Sequence, residues 1–233
     1  MSIIETKNQH GSTFPITPYI EKFLNHIKQA SCDVLDIGAA FGITTIPCID
    51  YGAKVTAMDM EESHLNAIKH KVAAEDLQRL KLVHGIFPED VDQINDQFDY
   101  ILCSRILHFL APERLNQAIK KLYALLKPQG VLYTLNFTPY HDFLESFIPE
   151  YEKRLDQEIE YPGYIKDCRP FVKEQNKLPN ELHLMNKDVM VSVLEANQFK
   201  VTEAYYEAYP IHLDPEHVIC FDGREQICVT AVK

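Results

Sequence analysis

Apolar and polar positions follow two rhythms along most of this chain. Ile20, Phe23, Leu24 and Ile27 recur at i, i+3, i+4 and i+7, the stripe of a helix laid against a core. Thr17-Pro18 ahead of them reads as an N-cap with proline at the first helical position, where a missing N–H costs nothing. From Asp33 onward strand and helix alternate. Val34-Leu35-Asp36-Ile37 predicts a short buried strand, ended by the glycine-bearing turn Gly38 to Gly42. A helix should then run to about Asp50, distorted or shortened by Pro47, and Tyr51-Gly52 closes the unit.

Further strands are expected at Lys54 to Met58, Leu80 to Val83, Tyr100 to Cys103 and Val131 to Leu135. Leu65, Ile68 and Val72 mark one intervening helix, and Leu115, Ile119, Leu122 and Leu126 another, stopped at Lys127-Pro128-Gln129-Gly130. The rhythm breaks at Pro139. From there to Leu184 the chain is rich in Tyr, Pro, Glu and Lys, with Phe143, Phe147 and Tyr151 at helical spacing. We read residues 139–184 as an insertion or lid inside one domain spanning 1–233, not as a second domain. Asn186 then caps a helix carrying Val189, Val193 and Leu194 that ends near Asn197, which tolerates the left-handed conformation, and Phe199 to Ala208 and Cys220 to Val232 supply two closing strands. The pattern predicts an α/β fold: a doubly wound, seven-stranded, mostly parallel sheet with helices on both faces and an insertion after strand 5.

Charge narrows the partners. The 233 residues carry a formal net charge of −11, which argues against a broad phosphate-binding face and hence against nucleic acid. The basic stretches at Lys69–Lys71 and Lys120–Lys121 fall on expected amphipathic helices and read as solvated faces. No run approaches the ~20 apolar residues of a membrane span, and Met1 to His10 has no signal-peptide core. The six cysteines (Cys32, Cys48, Cys103, Cys168, Cys220 and Cys228) form no CxxC pair and mostly sit in apolar runs. A reduced, cytoplasmic protein without a structural metal site is expected.

The stretch Val34 to Gly42 carries the most chemistry. A glycine turn between strand and helix brings backbone close to a ligand at the carboxyl edge of an open sheet. A dinucleotide fingerprint would need glycine at Ala40 and Ile43, and Asp36 would sit awkwardly beside a pyrophosphate; it suits a ligand carrying positive charge. Asp36-x-Gly38-x-Ala40-x-Gly42 resembles the D/E-x-G-x-G-x-G signature of class I S-adenosylmethionine (SAM)-dependent methyltransferases, with alanine for the middle glycine. That substitution leaves the turn feasible if the alanine φ stays negative.

The resemblance extends over roughly Asp33 to Asn136. It implies SAM as cofactor, with Asp36 near the methionyl end and the backbone of Gly38, Ala39, Ala40 and Gly42 close to its amino-acid portion. Asp59, 23 positions after Asp36 (59 − 36), would take both ribose hydroxyls, and Met60 would pack on the adenine face, unless it is simply core. Gly85-Ile86 stands where many relatives have glycine and an adenine-reading aspartate, so adenine recognition would fall to backbone or packing. Phe98-Asp99-Tyr100-Ile101-Leu102-Cys103-Ser104-Arg105-Ile106-Leu107-His108 resembles the family's fourth strand, with Ser104 and Arg105 beside the transferred methyl. Leu125-Leu126-Lys127-Pro128-Gln129-Gly130 resembles its L-K-P-G-G turn.

Methyl transfer needs a general base only if the acceptor must lose a proton. His108 and His141, and after them His183, are candidates, each with a structural role as the alternative; Tyr140, Tyr161 and Tyr164 could line an acceptor pocket. No N-P-P-Y or D-P-P-Y sequence follows the fourth strand, where Cys103-Ser104-Arg105-Ile106 stands instead. With the acidic charge, this favours a small-molecule acceptor. Two other readings stay open: an NAD-dependent oxidoreductase, and a methyltransferase-like domain that binds without catalysis.

Overall fold

The computed structural model describes residues 4–5, 12–13, 15–28, 31–172, 179–210, 212 and 219–233. The polar start at 1–10 therefore lies largely outside the described residues, as do 173–178 of the insertion.

Seven strands form one sheet: β1 (Asp33–Ile37), β2 (Lys54–Asp59), β3 (Leu80–His84), β4 (Phe98–Ser104), β5 (Leu126–Phe137), β6 (Lys200–Glu207) and β7 (Gln226–Val232). Their spatial order is β6-β7-β5-β4-β1-β2-β3. All neighbours run parallel except β7, which is antiparallel to both β5 and β6. The chain builds outward from β1 through β2 to β3, then crosses back to β4. The crevice at the carboxyl ends of β1 and β4 is thus the topological switch point, where open α/β sheets take ligands.

Side chains alternate across this sheet and sort into two layers. Val34, Val55, Ala57, Leu102, Tyr133 and Cys228 face α1 (Pro18–Ile27), α2 (Thr45–Asp50) and α3 (Glu62–Lys71). Leu35, Ile37, Met58, Ile101, Leu132 and Val229 face α4 (Pro112–Leu125) and α6 (Lys187–Ala196). Thr17 caps α1 as expected, and Tyr19 ties that helix to the sheet by donating its hydroxyl to the Val229 carbonyl at 2.6 Å. Pro47 shortens α2 to six residues by falling in its first turn, where no intrahelical acceptor awaits an N–H.

Three local expectations are corrected. The segment Lys127-Pro128-Gln129-Gly130 stops α4 but belongs to β5, which bends there with Gln129 at φ +65°. Lys127 lies at the amino edge, bonded to Asp33 (2.7 Å) and Asp99 (2.8 Å), so this motif clamps strand starts far from the crevice. The last strand begins at Gln226, not Cys220. Gln198, not Asn197, takes the left-handed conformation after α6, at φ +72°.

Residues 139–184 interrupt the sheet order between β5 and α6. They contain a 3₁₀ turn at Asp142–Phe147, α5 (Ile148–Asp156) and a two-stranded pair of Tyr164–Ile165 with Leu182–His183. Phe143, Leu144, Phe147, Tyr151, Ile165 and Leu182 give this segment its own small apolar core, which joins the sheet through Phe137. None of the described helices is long and apolar enough to cross a membrane.

Glu225 holds the approach to β7. Its carboxylate accepts the backbone N–H groups of Phe221, Asp222, Gly223 and Tyr209 at 2.7–2.9 Å. Burial alone would raise this carboxyl, but those donors outweigh it and hold it below the usual carboxylate range. Replacing Glu225 by Ala leaves four buried or half-buried donors to find other acceptors. A loss of about 3 kcal/mol in urea unfolding is expected; a loss under about 1 kcal/mol would mean that water replaces the carboxylate freely.

Candidate active site

The carboxyl rim is built by loops that lock one another. The turn after β1 sends the N–H groups of Gly38 and Ala39 to the Met58 carbonyl of β2 (2.9 and 3.1 Å), and that of Gly42 to the Ala39 carbonyl (2.9 Å). Ala40 donates its N–H to Asp59 Oδ2 at 2.8 Å. Asp59 Oδ1 accepts the Glu61 N–H at 2.9 Å and meets His64 Nδ1 at 3.1 Å. One carboxylate at the end of β2 therefore fixes both its own loop and the turn of the neighbouring strand.

Ala40 sits at φ +44°, between Gly38 at +73° and Gly42 at +79°. The expected negative φ is thus overturned: alanine occupies a left-handed position that costs an L-residue on the order of 1 kcal/mol, and its bond to Asp59 helps hold it there. A Cβ at Gly38 would lie 2.4 Å from Ile106 Cδ1 in the loop after β4, so that side chain would have to shift. The β1 and β4 loops are in direct contact at the switch point.

Asp36 lies under the turn. Its Oδ2 accepts the hydroxyls of Thr44 and Thr45, both at 2.7 Å. Burial raises its carboxyl above the usual carboxylate range; the threonine bonds oppose this and the nearby negative Asp59 adds to it. Two acids in one dry rim make a site that gains from positive charge.

Outward from Asp59 the rim turns apolar. Met60 is 51% exposed and Ile86, after β3, is 47% exposed, both unusual for large hydrophobics. The Ile86 N–H is already committed to Asp90 Oδ2 at 2.8 Å, and a Cβ on Gly85 would press on Asp90 Cβ at 2.6 Å. On the other side of the switch point, Arg105 takes φ +57° as β4 ends and donates its N–H to the Leu135 carbonyl at 2.6 Å. Its guanidinium donates to Gln226 Oε1 at 2.5 Å and to Ser104 Oγ at 3.4 Å; burial lowers its pKa to about 10.

Residues 34–130 match the methyltransferase-domain family. An uncharacterized methyltransferase of Staphylococcus carnosus is 30% identical over 171 residues, covering 67% of this chain and 78% of that protein. The chain belongs to the class I SAM-dependent methyltransferases. A ubiquinone biosynthesis O-methyltransferase of Rickettsia conorii is 24% identical over 218 residues, covering 92% of this chain and 69% of that protein. In fold, this methyltransferase is similar to a SAM-dependent methyltransferase from Methanosarcina mazei, with a TM-score of 0.63 at 15% identity over 94% of this chain and 99% of that one.

Within this methyltransferase the anticipated cofactor residues Asp36, Gly38, Ala39, Ala40, Gly42, Asp59 and Met60 share one rim of the sheet. Gly85 and Ile86 continue it beyond β2, the Gly85 N–H reaching the Asp59 carbonyl at 3.1 Å, and Ser104 ends β4 across β1. Asp59 is less free than expected, because three protein groups already engage its oxygens. His108 and His141 are fully buried and His183 nearly so. His108 Nδ1 accepts the Phe137 N–H at 3.4 Å, whereas His183 Nδ1 faces the Leu110 carbonyl at 3.0 Å and must carry the proton. Burial drives both imidazoles down, His108 to about 3 and His183 to about 4.

The suggested tyrosines do not form one wall. Tyr140 stacks with the Arg224 guanidinium at 3.5 Å, Tyr161 accepts from Asn116, and Tyr164 meets Glu181. Sequence reasoning missed Thr44, Thr45, His64 and Asp90. Only Asp90 had a visible signal, an acid four residues beyond Ile86, within one turn's reach of its backbone.

Because both imidazoles stay neutral in the fold but titrate near 6.5 when unfolded, their contribution to stability is full above about pH 6.5 and declines as pH falls. The expected slope reaches ~1.4 kcal/mol per pH unit for each ring between about pH 6 and 4.5. Urea unfolding across that range reads it directly; stability independent of pH there would mean that the rings charge inside the fold.

Proposed function

We propose that this methyltransferase holds SAM along the rim from Asp36 to Ile86 and methylates a small molecule enclosed under residues 139–184. The observation that carries the cofactor half is how the β1 turn disposes of its donors. The N–H groups of Gly38, Ala39, Ala40 and Gly42 all go to protein acceptors, so the glycine-flanked part of the turn keeps its own donors from a pyrophosphate. Two buried acids, Asp36 and Asp59, lie beside it. That set suits an ammonium and a sulfonium, and it speaks against a nicotinamide dinucleotide.

The residues present fit the group. Asp59 Oδ2, which takes a single N–H from the protein, retains a lone pair for a ribose hydroxyl. Met60 and Ile86 supply exposed apolar flanks for a flat ring, and Asp90 brings a carboxylate to the Ile86 N–H beside them. Bound SAM supplies a methyl carbon made electrophilic by its sulfonium. The chain contributes orientation and a dry crevice, which suffice for in-line displacement when the acceptor is already a nucleophile. Neither His108 nor His183 carries a positive charge near neutral pH.

The small-molecule half rests on the acidic chain, on the ubiquinone-pathway relative and on the place of 139–184 in the chain between β5 and α6. Titration calorimetry should give saturable binding of S-adenosylhomocysteine and none of NADH; the reverse would sink the cofactor assignment. Met60→Ala, at an exposed position, is expected to weaken S-adenosylhomocysteine about fivefold without loss of stability. With labelled SAM, the methyl should enter the low-molecular-weight fraction of a cell extract, not nucleic acid or protein.

Gly163 tests the cover. A Cβ there would lie 1.8 Å from the Leu184 carbonyl oxygen, so Gly163→Ala must push apart the base of the insertion. Turnover should fall at least about tenfold while S-adenosylhomocysteine affinity stays within about twofold. Equal losses in both would place 139–184 in the cofactor site instead.

A further inference from the structure

His64 lies in the first turn of α3, and its ring is buried against the rim. The side chains of His64 and Asp59 are only 2% and 8% exposed. The imidazole meets Asp59 Oδ1 through Nδ1 at 3.1 Å and packs on the Phe41 ring, with centroids 4.5 Å apart. Phe41 stands between Ala40 and Gly42 in the β1 turn, and Lys71, the last residue of α3, reaches the Phe41 carbonyl at 3.3 Å. One helix therefore grips both the turn after β1 and the carboxylate that ends β2.

The proton position and the lone-pair count follow from the partners. Both oxygens of Asp59 accept backbone N–H groups, Oδ1 from Glu61 at 2.9 Å and Oδ2 from Ala40 at 2.8 Å. The carboxylate is thus the acceptor toward His64 as well, and Nδ1 carries the proton. A carboxylate oxygen has two lone-pair sites. Among the described residues, Glu61 and His64 use both on Oδ1, whereas Ala40 uses one on Oδ2 and leaves the other. A bidentate grip on two ribose hydroxyls, one on each oxygen, is blocked at Oδ1.

We propose that His64 is a positioning residue for the cofactor's ribose: by holding Oδ1 it leaves Oδ2 as the one oxygen of Asp59 open to a hydroxyl, so that Asp59 reads a single ribose hydroxyl and not the pair. This rests on the cofactor reading above and names how that site selects its nucleoside. His64 acts through Asp59 and takes no part in methyl transfer. Its bond is the one side-chain contact among the three that set the rotation of the carboxylate, and it is charge-assisted and dry, which makes it strong.

The test measures binding of S-adenosylhomocysteine and of its 2′-deoxy and 3′-deoxy analogues to the whole chain by calorimetry. In the wild type one analogue should bind at least about tenfold more weakly than the parent, and the other within about threefold. His64→Phe keeps a ring on Phe41 but has no donor; it should weaken the parent at least about fivefold and bring the two analogues within about twofold of each other. His64→Asn restores an N–H near the place of Nδ1 without the ring, and should hold the parent within about threefold and keep the gap between the analogues. A ring that merely packs would give the opposite order, with His64→Phe intact and His64→Asn impaired. The His64 Nδ1–H resonance of the wild type, a readout that needs no variant to fold, should move on adding S-adenosylhomocysteine and move less with the weaker analogue. Equal penalties for the two analogues in the wild type, a gap that survives in His64→Phe, or a resonance that the parent ligand leaves in place overturns the role of His64 while the cofactor reading stands. Failure of the wild-type chain to bind S-adenosylhomocysteine would sink the cofactor reading, and this inference with it.

Discussion

The carboxylate of Asp59 is the constraint on which the rim depends. It closes the end of β2 onto the Glu61 N–H, meets His64, and reaches across to the N–H of Ala40 in the next strand's turn. Without that last bond, a left-handed alanine would have little to offset its conformational cost. Its position also sets the charge of the crevice, because Asp36 is buried close enough to feel it. A single side chain thus shapes the turn, uses up a backbone donor and biases the site toward cations.

The same economy governs the opposite half of the switch point. Arg105 leaves β4 in a strained conformation, and the residues that receive it, Leu135 and Gln226, belong to β5 and β7. Gln226 is separated from Arg105 by 121 positions, and only the antiparallel insertion of β7 beside β5 brings them together. Residues 139–184 add an apolar cluster of their own, which meets this end of the sheet at Phe137.

Histidine illustrates how burial decides chemistry. His108, His141 and His183 look equivalent in the chain, each an imidazole able to titrate near neutrality. In the fold His108 and His183 are forced neutral, and opposite nitrogens carry the proton, because one ring faces a backbone donor and the other a backbone carbonyl. A base needs an available lone pair and a donor needs a proton; which of the two a histidine supplies depends on one neighbour.

Period-two and period-3.6 patterning was sufficient to determine the seven-strand doubly wound sheet, the short α2 and the capped α1, because burial on two faces leaves its mark on every strand and helix. The spacing of Asp36 and Asp59 likewise located the carboxyl rim of the sheet, since each falls at or next to the end of a parallel strand. Tertiary structure alone decided the positive φ of Ala40, the capture of Asp59 by three protein donors, the role of Asp90 and the pairing of Arg105 with Gln226. These depend on hydrogen bonds between residues far apart in the chain or on one loop's backbone angle, and local hydrophobic periodicity carries no record of either.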